Sequence, residues 1–183
     1  TTAERIQRRT AKLDTKLPVT ERAAAVAAIE SEEAARDSRK AVAGFDFTFS
    51  IPKSASVLWA VSDAGTQSLI ADAHHAAVAE MVAFIERELA ATRVGAAGRN
   101  GAVAQAEVSG VIATAFDHYD SRAGDPHLHT HVVISNKVQQ AQTGRWLALD
   151  GRPMHTPTVA VSELHEAVFA DTLTRLLGVE WEA

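Results

Sequence analysis

Phe45-Asp46-Phe47-Thr48-Phe49-Ser50 alternates with period two, and its reading sets the fold. Successive side chains of a strand point to opposite faces. Phe45, Phe47 and Phe49 therefore form one apolar face, and Asp46, Thr48 and Ser50 form a polar one. Such a strand covers a core on one side and offers chemistry on the other. Gly44 ends the segment before it, Pro52 stops the strand, and Ser54 is placed to cap a short helix running to Val61.

Upstream, residues 3–17 and 20–41 read as two helices rich in Ala, Glu, Arg and Lys, broken at Pro18. Downstream, residues 66–91 give a long alanine-rich helix, and 92–101 a glycine-rich connection. Strands are expected over 102–109, 110–118, 128–138 and 145–149, and a last amphipathic helix over 157–177, closed by Gly178. Helices, one strand, helices, several strands and a helix imply an α+β fold, with a mostly antiparallel sheet and helices on one face.

The 183 residues suit one domain, read as a helical N-terminal segment (1–43) and a core (44–178). With 46% hydrophobic and 22% charged residues the composition is globular, not disordered. No uninterrupted apolar run approaches the roughly 18 residues of a bilayer span, so no membrane segment is expected. The absence of cysteine excludes disulfides, thiolate metal sites and cysteine catalysis, and fits a cytoplasmic protein. The net charge of -5 argues against a broadly basic nucleic-acid coat. Residues 1–43 nevertheless hold nine Lys+Arg against seven Asp+Glu, and the remainder nine against sixteen. A nucleic-acid partner would have to be held locally, by the N-terminal arm or through a metal.

Four of the eight histidines fall between residues 118 and 131. His129 and His131 share a strand face, and His118 on a neighbouring antiparallel strand can lay a third imidazole beside them. His127 would join only if its strand began early, despite Pro126. Three neutral imidazoles leave other coordination positions of a cation open, as catalytic metal sites do. If Asp46 lies close, its carboxylate can accept the distal N–H of one ligand and orient the ring. His74, His75, His155 and His165 read as ordinary surface or satisfied histidines.

At these residues the chain resembles a known family. Gly44-Phe45-Asp46-Phe47-Thr48-Phe49-Ser50-Ile51-Pro52-Lys53-Ser54 is similar to one motif of the MobF-type (TrwC/TraI-like) conjugative relaxases of the HUH superfamily. His118-Tyr119-Asp120-Ser121-Arg122-Ala123-Gly124-Asp125-Pro126-His127-Leu128-His129-Thr130-His131 is similar to their histidine motif. The resemblance covers roughly 44–178, less densely through TGRWLALD and the helix after it, and residues 1–43 match only as a helical segment.

It implies a palm-like antiparallel sheet flanked by helices, and strand-specific DNA nicking at an origin of transfer through a phosphotyrosine. It implies a divalent metal on His118, His129 and His131, with Asp46 supporting the cluster. Mg²⁺ or Mn²⁺ would serve in use, and Zn²⁺ or Ni²⁺ could bind. The implied partners are single-stranded DNA with its adjoining hairpin and, beyond these, relaxosome proteins. Lys53 and Arg122, beside the two motifs, are candidate phosphate contacts.

The family's nucleophilic tyrosines lie upstream of the Asp motif, whereas the only tyrosine here is Tyr119. The chain is therefore read as lacking the attacking group and the helicase region, and as unable to nick alone. Two other readings compete. Residues 127–133 fit a histidine-triad pattern for a nucleotide hydrolase or transferase, which leaves His118, Arg122 and Asp46 without a role. A non-catalytic module binding single-stranded DNA is the other.

Overall fold

The computed structural model describes residues 2–14, 17–37, 42–95 and 103–181. By its internal contacts the chain divides into two compact units, Thr1–Val42 and Ala43–Ala183. The first holds α1 (Thr2–Thr10) and α2 (Val19–Asp37). Helix α1 stops seven residues short of the expected 17, well before Pro18, because amides of Lys12 and Leu13 turn back to the carbonyls of Arg9 and Thr10. The two helices are tied by Glu33, which is 1% exposed and accepts from Arg5 Nε and Arg9 Nη1, both at 2.9 Å. The expected end of α2 at 41 lies outside the described residues.

The second unit runs β1 (Gly44–Ser50), α3 (Lys53–Val61), α4 (Ala64–Phe84), a π-helical turn (Ile85–Leu89), β2 (Ala91–Gly95), β3 (Val103–Glu107), β4 (Ala113–Asp120), β5 (Pro126–Ser135), β6 (Val138–Gln139), β7 (Trp146–Leu147), α5 (Gly151–His155) and α6 (Thr158–Leu177). The main sheet has the order β1-β5-β4, antiparallel throughout, with the histidine strand in the centre. Helix α6 ends at Gly178, whose φ of 68° gives the left-handed cap the sequence implied.

The period of β5 explains the layering. Leu128, Thr130, Val132 and Ile134 are buried, while His127, His129, His131 and Val133 alternate with them on the other face. The buried face packs with Phe49, Val78, Met81, Ile85 and Val161 around one end, and with Ile51, Ile70, Phe169 and Leu173 around the other. Helices α4 and α6 thus cover one side of the sheet, and the imidazoles stand on the other.

Four local expectations are corrected. Helix α3 begins at Lys53 with no side-chain cap, so Ser54 sits inside it and not at its cap. Helix α4 begins two residues early, because Asp63 accepts from the amides of Gly65 (2.9 Å) and Thr66 (3.2 Å). Residues 91–95 form a strand where the last residue of the long helix and the start of a connection were expected, and they pair with β3 in a separate two-stranded ribbon. β5 starts at Pro126 and ends at Ser135, two residues early and three residues short of 128–138. Proline is tolerated there because the first residue of a strand need not donate. The stretch Ala64–Leu89 is also long and apolar enough, with mean hydropathy 1.2, to pass for a membrane span. Asp72, His74, His75 and Glu80 interrupt it and hide this from a search for uninterrupted apolar runs. Here its stripe of Ile70, Ala73, Ala77, Val78 and Met81 is core.

Candidate metal centre

Strand pairing builds the site. His129 faces Ser50 on β1 and His118 on β4, while His131 faces Thr48 and Phe116. The side chains of these pairs rise from the face that the helices leave open. The ring centroids of His118 lie 5.1 Å from those of both His129 and His131, and the latter two are 5.3 Å apart. Among the described residues these three form a cluster in which one nitrogen of each lies within 4.8 Å of the others. Metal–nitrogen bonds of about 2.1 Å put neighbouring ligands about 3.0–3.4 Å apart, a gap that small side-chain rotations close.

The hydrogen bonds choose the tautomers such a site needs. His131 Nδ1 lies 3.1 and 3.0 Å from the two Asp46 carboxylate oxygens and 3.2 Å from Thr48 Oγ1. A carboxylate only accepts, so Nδ1 carries the proton and the Nε2 lone pair is left for a cation. His129 Nδ1 donates to the His127 carbonyl at 2.8 Å, with the same outcome. The donor set and its protonation fit a divalent ion with open positions.

His127 joins this face because β5 begins early. Its ring lies 4.7 Å from that of His129, and its Nε2 is 3.4 Å from Ser50 Oγ. Burial, with His129 and Lys53 nearby, holds it below the ordinary imidazole range.

Lys53 is engaged with the loop between β4 and β5. Its ammonium pairs with Asp125 and donates to the Pro126 carbonyl at 2.8 Å, and Asp125 also accepts from Ser121. Gly124, at φ +79°, closes the loop with its amide on the Ser121 carbonyl. Lys53 thereby ties the end of one motif to the middle of the other, and Arg122 stands exposed on the loop. Tyr119 stacks on Trp59 of α3, with centroids 5.5 Å apart and planes 14° off parallel.

Sequence reasoning missed a polar cluster under the sheet. His74 and His165, read as surface or satisfied histidines, are the satisfied kind, 0% and 1% exposed. His165 Nε2 lies 3.3 Å from His74 Nδ1, and His74 Nε2 lies 2.8 Å from Thr130 Oγ1. Burial pushes His74 down to about 3, helped by the charges of His165 and His75, and pushes His165 down to about 4. Thr130 in turn donates to Asp117 at 2.6 Å, and Asp117 also lies 2.9 Å from His75 Nε2. For Asp117, burial acts upward but is outweighed by the Thr130 and His75 contacts, and its carboxyl sits below the usual range. A signal was available: His74 interrupts the apolar stripe of α4, His165 lies four residues from both Val161 and Phe169, and Thr130 occupies an apolar slot of β5.

A small α+β unit whose central strand presents convergent, carboxylate-backed imidazoles defines a candidate metal centre of the kind the two motifs suggested. The family assignment is direct: the TrwC relaxase family profile matches residues 2–183, and the chain belongs to that family. The match includes the N-terminal helices, which the motifs alone had left out. The multifunctional conjugation protein TraI of Escherichia coli is 41% identical over 106 residues, covering 58% of this chain and 6% of TraI. A conjugative relaxase TrwC solved in complex with oriT DNA, in a metal-free form, is 30% identical with a TM-score of 0.70, covering 82% of this chain and 50% of that one. A copper-bound TrwC complex with oriT DNA is 32% identical with a TM-score of 0.67, covering 79% and 46%. The chain therefore spans a small part of the curated TraI sequence and about half of each TrwC chain.

Proposed function

We propose that this chain carries the metal-binding and carboxylate part of a conjugative relaxase site, which nicks and transfers one DNA strand at an origin of transfer. The observation that supports this most is the meeting of His118, His129 and His131, with His131 backed by Asp46. These three histidines would hold one divalent ion, Mg²⁺ or Mn²⁺ in use, with Zn²⁺ or Ni²⁺ binding more tightly in vitro. When bound, it supplies positive charge to the nonbridging oxygens of the scissile phosphate.

The chain's own residues do the rest. Asp46 and the His127 carbonyl hold two rings in one tautomer and orientation. Lys53 holds the loop that places Arg122 where a neighbouring phosphate can reach it. Tyr119 stacks on Trp59, and the histidines, Asp46 and the loop supply the part of the site that polarises phosphate. The substrate is single-stranded DNA beside a hairpin, in the cytoplasm, with relaxosome proteins as further partners. With a net charge of -5, attraction to DNA has to come from local phosphate contacts, and it falls with salt. A histidine-triad nucleotide hydrolase needs no metal and would leave Asp46 and His118 idle.

Metal uptake tests the reading. Calorimetry on the wild-type chain is expected to give one Mn²⁺ per molecule, and the His129→Ala/His131→Ala variant none. Single-stranded oligonucleotide binding is expected to weaken steeply between 50 and 200 mM salt. Equal metal uptake by both proteins would refute the proposal.

A further inference from the structure

The imidazole on β4 is the least anchored member of the cluster. All eight residues of β4 are exposed, and among the described residues no strand lies beyond it. The ladder to β5 is regular from Ala113 to His118 but slips between His118 and Asp120. Backbone pairing therefore weakens immediately after the residue whose position matters most. His129 and His131 sit on the central strand and need no such help.

On the opposite face, one position away, lies a chain of hydrogen bonds with fixed direction. Thr130 separates the two β5 histidines and is the cross-strand partner of Asp117, which precedes His118. A threonine hydroxyl has one proton, and the Asp117 carboxylate can only accept it. Thr130 must therefore accept from His74 Nε2–H, which leaves His74 Nδ1 as the acceptor for His165 Nε2–H. The second Asp117 oxygen takes His75 Nε2–H. Helices α4 and α6 thus hold Thr130 and Asp117, and through them the spacing of β4 from β5.

We propose that Asp117, Thr130, His74 and His165 form a positioning bracket that holds His118 at ligand distance from His129 and His131. The proposal rests on the metal-centre reading above. A bracket beneath the sheet explains why a polar cluster occupies the apolar layer, where unsatisfied groups would be costly. It also assigns the threonine between the two histidines a role in the site, although its side chain points away from it.

Cu²⁺ loaded on the full 183-residue chain gives the test, since its electron paramagnetic resonance spectrum distinguishes coordination by three nitrogens from coordination by two. Wild type is expected to show three nitrogens. Thr130→Val is expected to show two, with affinity weakened by at least the roughly 10–100-fold that loss of a partner bonded directly to a ligand costs. Thr130→Ser is expected to restore both, which a role in packing alone would not do. Should Thr130→Val fail to fold, Asp117→Ala on the exposed edge strand is expected to show the same loss. A three-nitrogen spectrum and an affinity within threefold of wild type in the folded variant would overturn the bracket alone. A wild type that takes up no stoichiometric ion would instead overturn the metal-centre reading, and the bracket with it.

Discussion

Acidification is expected to unfold the second unit through its two buried histidines before its carboxylates matter. In the unfolded chain a histidine titrates near 6.5. Folded, His74 is pushed down to about 3 and His165 to about 4, by burial first. Both rings are neutral in the fold and charged when it opens in acid. Their contribution to stability is complete above about pH 6.5 and is lost as the pH falls towards the folded values. In that window the unfolded chain binds about one more proton than the folded chain at pH 6.5 and nearly two at pH 5, so the fall in stability steepens to almost 3 kcal/mol per pH unit. From pH 6.5 to pH 5 the loss is about 3 kcal/mol, a large part of the total stability of an ordinary domain. Asp63 and Asp117, held below the usual carboxylate range, lose their contribution only further down, near and below pH 4. The assay is urea unfolding in chelator at half-unit steps from pH 7 to 5. It is read by tryptophan fluorescence, because Trp59, Trp146 and Trp181 all lie in the second unit. The variant His74→Met/His165→Leu is expected to flatten the dependence by about one to two protons, whatever its absolute stability. A wild-type slope below half a proton between pH 5 and 6.5 would refute the reasoning, as would an unchanged slope in the double variant.

Asp46→Asn is expected to weaken Mn²⁺ binding about 10–100-fold without changing its stoichiometry, because the amide can no longer hold His131 Nδ1–H with two charged oxygens; calorimetry checks this. Gly44→Ala is expected to destabilise the second unit by about 1–3 kcal/mol in urea unfolding, because the added Cβ would stand 2.6 Å from the Ile134 carbonyl oxygen across the β1–β5 pair.

Much of the site was legible before any coordinates because strand period is a strict code. Alternation alone put Asp46, Thr48 and Ser50 on one face of β1 and His129 and His131 on one face of β5, and pairing then had only to bring the two polar faces together. The motif resemblance carried the third ligand, and the pairing of β4 with β5 then set His118 opposite His129. Other features depended on contacts between distant residues, and no local pattern encodes those. Lys53 and Asp125 are 72 positions apart, and their ion pair ties the two motifs together through a candidate phosphate contact. The early start of β5 follows from its pairing with β4, which added His127 to the face. His74 and His165 are 91 positions apart, and nothing in either helix announces the other. Local periodicity determined which side each residue faces. Only the packing of α4 and α6 under the sheet decided what met there, because burial and hydrogen-bond satisfaction are properties of the assembled core.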